Sequence, residues 1–158
     1  MKHAADYRLD TTRIGVIGFS AGGHLASTLA NHHTGNLAFQ ILVYPVISMQ
    51  DGLAHMGSRQ ALIGEHPSQA VKDAWSGELQ VNQQTPPAYI THTGDDKTVP
   101  VDNSIRFYQA LLSRQIKAEL HLYPEGGHGF IKKLPVAEWL DPMMLWMEKN
   151  GYVPITKK

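Results

Sequence analysis

Short apolar runs of strand length alternate along the chain with stretches of helical spacing. That order predicts an α/β protein built on a mostly parallel sheet. Arg13-Ile14-Gly15-Val16-Ile17-Gly18 is apolar on both faces, as a buried parallel strand should be. Gly22, Leu25, Ala26, Leu29 and Ala30 follow at i, i+3, i+4, i+7 and i+8, one face of a helix, and Gly35 is placed to stop it. Residues 39–44 read as a second buried strand, and residues 88–92 as a third. Between them, 45–84 is irregular, with short helical patches at 58–63 and 68–76. Asp102 is placed to cap a helix carrying Ile105, Tyr108, Leu111 and Leu112 on one side. Residues 118–123 alternate as a fourth strand, and a last helix starts at Pro142 with Asp141 as its N-cap and stops before Gly151. About four strands flanked by helices result.

Composition narrows the classes. Of the 158 residues, 42% are hydrophobic and 18% charged, the balance of a folded domain with a core rather than a disordered chain. The 14 Lys+Arg match the 14 Asp+Glu, which leaves neither a basic footprint for nucleic acid nor a polybasic membrane patch. The longest apolar run, 41–47, falls far short of the roughly 20 residues that cross a bilayer. The absence of cysteine excludes disulfides, thiolate zinc sites and a thiol nucleophile.

Candidate chemistry sits at the ends of the predicted strands. Gly18-Phe19-Ser20-Ala21-Gly22 fits G-x-S-x-G between a buried strand and an amphipathic helix, the setting of a nucleophile elbow. A sharp turn there strains the serine backbone, and side chains on the flanking glycines would clash. The helix that follows aims its free N–H groups at the reacting centre. A serine needs a base. Of nine histidines, His3, His24, His32, His33, His55 and His66 have surface, loop or helix readings, and His92 and His121 fall within strands, where a satisfied structural role is expected. His128 differs, because it lies among glycines in Gly126-Gly127-His128-Gly129 just after a strand. Asp95 and Asp96 follow the third strand, and one of them is positioned to orient that histidine. Ser20, an aspartate and His128 then share the carboxyl ends of parallel strands, where such sheets bind ligands. Adjacent pairs such as His32-His33 and Asp95-Asp96 do not make a metal-ligand set, and no cofactor or metal is expected.

Three segments together resemble the α/β-hydrolase esterases, in particular the acetyl-xylan and carbohydrate esterase-like branch. They are Gly18-Phe19-Ser20-Ala21-Gly22-Gly23-His24-Leu25-Ala26, then Gly94-Asp95-Asp96-Lys97-Thr98-Val99-Pro100, then Tyr123-Pro124-Glu125-Gly126-Gly127-His128-Gly129-Phe130. The resemblance runs from about residue 13 to 151. It implies Ser20 as nucleophile, His128 as base, Asp96 as acid, and Ala21 N–H as an oxyanion donor between Gly18 and Gly22. Asp95 becomes a neighbour that shapes the loop. The implied substrate is a short-chain, acetyl-like ester, including those of saccharides.

The chain departs from that pattern at its start. Only twelve residues precede residue 13, and no His-Gly-Gly type loop is present to supply a second oxyanion donor. Residues 1–158 are therefore expected to form a single partial α/β-hydrolase domain, the C-terminal catalytic half, lacking the first strands. The nucleophile strand would then be an apolar sheet edge that invites pairing with a second copy. The residues after Met1 form no signal peptide, so the chain as written reads as cytoplasmic, and a longer parent as secreted or periplasmic. The alternatives are a non-catalytic remnant or interaction module that keeps the three residues, and half of a prolyl-oligopeptidase-like peptidase.

Overall fold

A computed structural model describes residues 3–32 and 37–154. Four strands form one sheet: β1 (Gly15–Phe19), β2 (Phe39–Val43), β3 (Ala88–Thr93) and β4 (Ala118–Tyr123). They lie in the order β1-β2-β3-β4, and every neighbouring pair is parallel. The helices are α1 (Ala21–His32), α2 (Met56–Ile63), α3 (Gln69–Trp75), α4 (Asp102–Ser113) and α5 (Val136–Lys149). This is the predicted α/β architecture, with strand ends within two residues of the expected ones.

Alternation along the strands divides the core into two layers. Leu42, Ala88 and Ile90 face Ala26 of α1 and Phe107 and Leu111 of α4. Phe39, Ile41, Val43 and Tyr89 face Met143 and Trp146 of α5 on the other side. β2 and β3 are buried along their whole length. β1 is not: Ile17 is 48% and Phe19 36% exposed. The expectation of burial on both faces fails here because β1 is the edge strand of the sheet the described residues form.

Helix faces depart from the hydrophobic pattern for a shared reason, the burial of polar groups that have partners. On α1, Leu25 is 72% and Leu29 42% exposed, while Gly23, His24, Ala26, Ser27, Ala30 and Asn31 are buried. His24 Nε2 donates to the Trp75 carbonyl at 2.8 Å, and Asn31 Nδ2 to the Gly77 carbonyl at 2.9 Å. On α4, Asn103, Ser104, Phe107 and Leu111 point inward, and Leu112 is half exposed. Asn103 Oδ1 accepts the Ile47 and Ser48 N–H groups at 3.0 and 2.9 Å. Asp102 is not the cap. Val101 occupies that position and Asp102 opens the first turn. The expected stop at Gly35 lies outside the described residues.

The last helix also starts earlier than Pro142. Residues 136–141 continue it N-terminally, and Trp139 and Leu140 pack against the α5-side core. A proline inside a helix leaves the carbonyl four residues back without its donor. That carbonyl belongs to Glu138, and the Tyr123 hydroxyl at the end of β4 donates to it at 2.7 Å. Tertiary contact thus replaces the hydrogen bond that the sequence rule says is lost.

Candidate active site

Ser20 follows β1 directly, in the turn before α1. Its backbone has φ +53°, the left-handed region that a residue with a Cβ enters at a cost. The turn is held by Ser20 N–H on the Val43 carbonyl, and by the Ser20 carbonyl, which accepts from Gly23 and Val46 N–H at 2.9 and 3.0 Å. Gly18 has the role expected of it, since a Cβ there would collide with the Gly22 carbonyl. Gly22 does not, because a Cβ there meets nothing within 4 Å. The second tight position is Gly23, whose Cβ would run into Pro45. Ala21 begins α1, so its N–H is one of the first-turn donors without an intrahelical acceptor.

Asp96 and His128 reach the same sheet edge from loops after β3 and β4. Ser20 Oγ lies 2.8 Å from His128 Nε2, and His128 Nδ1 lies 2.7 Å from Asp96 Oδ2. A carboxylate only accepts, so Nδ1 carries the proton and Nε2 is free to accept from the serine hydroxyl. The Asp96 side chain is fully buried, and that of His128 is 24% exposed. Burial pushes the Asp96 carboxyl up, but the Val99 N–H, His128 and the Thr98 N–H outweigh it and hold it below its ordinary value. Its Oδ1 accepts Thr98 and Val99 N–H at 2.8 and 3.0 Å. The Tyr44 ring meets the His128 ring edge-on, with centroids 4.8 Å apart.

Asp95 faces the neighbouring loop instead. Its carboxylate accepts Gly127 N–H at 2.8 Å and Gly126 N–H at 3.1 Å, and the Gly127 contact leads in lowering its pKa. It therefore ties the aspartate loop to the histidine loop. Gly126, Gly127 and Gly129 all have positive φ, which lets the chain turn sharply around His128. Sequence reasoning missed two neighbours of this group. Tyr44 carries no local signal, since its left-handed φ of +38° shows only in three dimensions. His92 Nε2 lies 3.1 Å from Asp96 Oδ2, a partner that strand spacing does not announce.

A cleft of about 430 Å³ opens beside the elbow between α1 and the α2–α3 segment. Ala21, Leu25, Met49, Leu62 and Trp75 line it, with His24 and His55 as its polar edges. Among the described residues, no helix is long and apolar enough to cross a membrane.

A parallel sheet with a left-handed serine at one strand end, and an aspartate and a histidine at two others, defines the α/β-hydrolase class. Within that class the chain belongs to the prolyl oligopeptidase family, whose profile matches residues 2–151. It is 35% identical over 130 residues to an acetylxylan esterase of Xylanibacter ruminicola, covering 78% of this chain and 27% of that protein. It is 34% identical over 141 residues to an endo-1,4-beta-xylanase B of Butyrivibrio fibrisolvens, covering 81% of this chain and 22% of that protein. The solved structure of an acetyl ester-xyloside bifunctional hydrolase from Caldicellulosiruptor lactoaceticus superposes with a TM-score of 0.90 at 37% identity. That match covers 96% of this chain and 62% of the other. The chain thus spans about a quarter of the length of these two curated relatives.

Proposed function

We propose that this chain carries the acyl-transfer machinery of a serine carboxylic-ester hydrolase for short, acetyl-like esters, including those of saccharides. The observation that carries the reading is the continuous line from Ser20 Oγ through His128 to Asp96, with contacts of 2.8 and 2.7 Å. In this reading Ser20 Oγ attacks the ester carbonyl carbon while His128 Nε2 takes its proton. The tetrahedral oxyanion accepts from Ala21 N–H at the start of α1. Collapse breaks the carbon–oxygen bond to the alcohol, which leaves with the proton from His128. A water, deprotonated by the same nitrogen, then attacks the acyl carbon; the bond to Ser20 Oγ breaks, His128 returns the proton to that oxygen, and the carboxylic acid leaves. Asp96 stays ionised throughout and keeps the Nδ1 proton facing it. The cleft beside Ala21 offers the substrate an apolar wall.

The substrate class rests on the names of relatives, an acetylxylan esterase and an acetyl ester-xyloside hydrolase among them. The family description favours a second reading, hydrolysis of a prolyl peptide bond. One experiment separates them: hydrolysis of p-nitrophenyl acetate and of a prolyl p-nitroanilide by the chain and by Ser20→Ala. The esterase reading expects acetate release that Ser20→Ala lowers by at least about three orders of magnitude. Anilide release as the only Ser20-dependent activity would move the assignment to the peptidase. Equal rates from both proteins would leave a non-catalytic module.

A further inference from the structure

His92 is fully buried at the end of β3, and no step above uses it. We infer that His92 is a positioning residue: it donates a second imidazole N–H to the Asp96 oxygen that faces His128, and so fixes that carboxylate in place. The inference rests on the roles proposed for Ser20, His128 and Asp96.

Nε2 of His92 lies 3.1 Å from Asp96 Oδ2 and 3.2 Å from the Val99 carbonyl oxygen. Both groups only accept here, so Nε2 carries a proton. Nδ1 lies 2.7 Å from Ser104 Oγ on α4. Burial leads in pushing the His92 imidazole below its ordinary pKa, which favours the neutral ring, so Nδ1 accepts the Ser104 hydroxyl proton. The ring is thus gripped on both sides by residues of two different elements, and its donor aims at one atom.

That atom is shared. Oδ2 of Asp96 receives His92 at 3.1 Å and His128 at 2.7 Å, while Oδ1 takes the two backbone N–H groups. Four donors fill the accepting capacity of one carboxylate. Without His92, Oδ2 would be held only by His128, the group that must change charge during the reaction. The ionisable groups facing this pair are Asp96 itself, Tyr44 against the His128 ring, and Asp95, which is bound to Gly126 and Gly127. None of the others donates to Oδ2.

The full chain is compared with His92→Leu, which fills similar space without a donor, and His92→Gln, whose amide nitrogen reaches the position of Nε2. Two readouts are taken. In p-nitrophenyl acetate hydrolysis, His92→Leu is expected to lose about tenfold or more in kcat with KM within about twofold, and His92→Gln to recover most of the loss. In proton NMR, the low-field signal of His128 Nδ1–H is expected in the parent chain and in His92→Gln, and displaced upfield or lost in His92→Leu. The signal is assigned by its absence in His128→Gln. An unchanged kcat and signal in His92→Leu would overturn the inference, as would equal losses in both variants, which would mark a packing role. Should His92→Leu not fold, Ser104→Ala frees the far side of the ring and is expected to displace the signal in the same direction; an unmoved signal overturns the inference. If hydrolysis proves independent of Ser20, the esterase reading fails while the proton signal still decides the placement of His92.

Discussion

At Asp96, burial and hydrogen bonding oppose each other, and the hydrogen bonds win. The residue is therefore an anion with nowhere to turn, which is what a partner for a histidine cation requires. Asp96→Asn keeps the shape but presents an amide whose nitrogen donates, so the His128 tautomer is no longer fixed with Nε2 free. The expected result is a fall in kcat of about four orders of magnitude with little change in KM, read by steady-state ester hydrolysis. A loss under tenfold would remove Asp96 from the proposed role. Much at this scale was legible. Ser20 and His128 stood out by the glycines around them, and the structure brings both together with Asp96. The choice of Asp96 over Asp95 came from the resemblance, not from the residues, because both are plain loop carboxylates in sequence. Gly22 was misjudged because a turn's crowding depends on the neighbouring Pro45, which no local motif reveals. His92 has the satisfied role expected of it, but a polar residue in a strand declares that it needs a partner without declaring which one.

Among the elements, strand positions were legible and helix faces only in part: Ala26, Ala30 and Leu111 are buried as expected, while Leu25, Leu29 and Leu112 are not. Strand ends follow from apolar runs, whereas a helix face is decided by what it meets. Asn103, Ser104, Asn31 and His24 are buried because each finds a fixed polar partner, so hydropathy alone rotates the predicted face. α5 adds a different lesson. Pro142 announces a helix start, yet the Tyr123 hydroxyl on the Glu138 carbonyl lets the helix run through it. Tyr123→Phe should cost about 0.5–1 kcal/mol in the parent chain. In a Pro142→Ala background it should cost measurably less, because residue 142 would then supply its own N–H to Glu138. A double-mutant cycle by urea unfolding reads the coupling. Equal costs in the two backgrounds would mean that the tyrosine does not stand in for the missing donor.

For the whole molecule, two buried histidines tie stability to pH. Burial leads in lowering the pKa of both His24 and His92 from the ordinary 6.5. Between that value and the lower folded one, the unfolded chain binds protons that the folded chain refuses. Their contribution is present above pH 6.5 and is lost as pH falls through the folded values. Asp96 acts in the same direction at lower pH. Its folded pKa lies below 3.8, so its stabilisation is present above 3.8 and is lost as pH falls through the folded value. The urea midpoint should hold from pH 8 to about 6.5 and then decline in two stages. A flat profile down to pH 5 would show that neither histidine is kept neutral by the fold. The parallel α/β class was legible from the alternation of elements, while the strand order and the split of the core into two layers appear only in the structure. The place of β1 at a sheet edge was expected from the resemblance, whereas its own residues, apolar on both faces, do not tell an edge strand from a central one.

The left-handed serine leaves a trace that outlasts any assay. A residue with a Cβ at φ +53° costs about 1–2 kcal/mol that a glycine would not incur. Ser20→Gly and Ser20→Ala both remove the hydroxyl, yet only the first relieves the backbone, so Ser20→Gly should unfold at the higher urea concentration. Equal midpoints would show the turn to be unstrained. Stability alone favours glycine here, whereas the proposed chemistry requires the serine oxygen. At this one position durability and the proposed chemistry therefore pull in opposite directions.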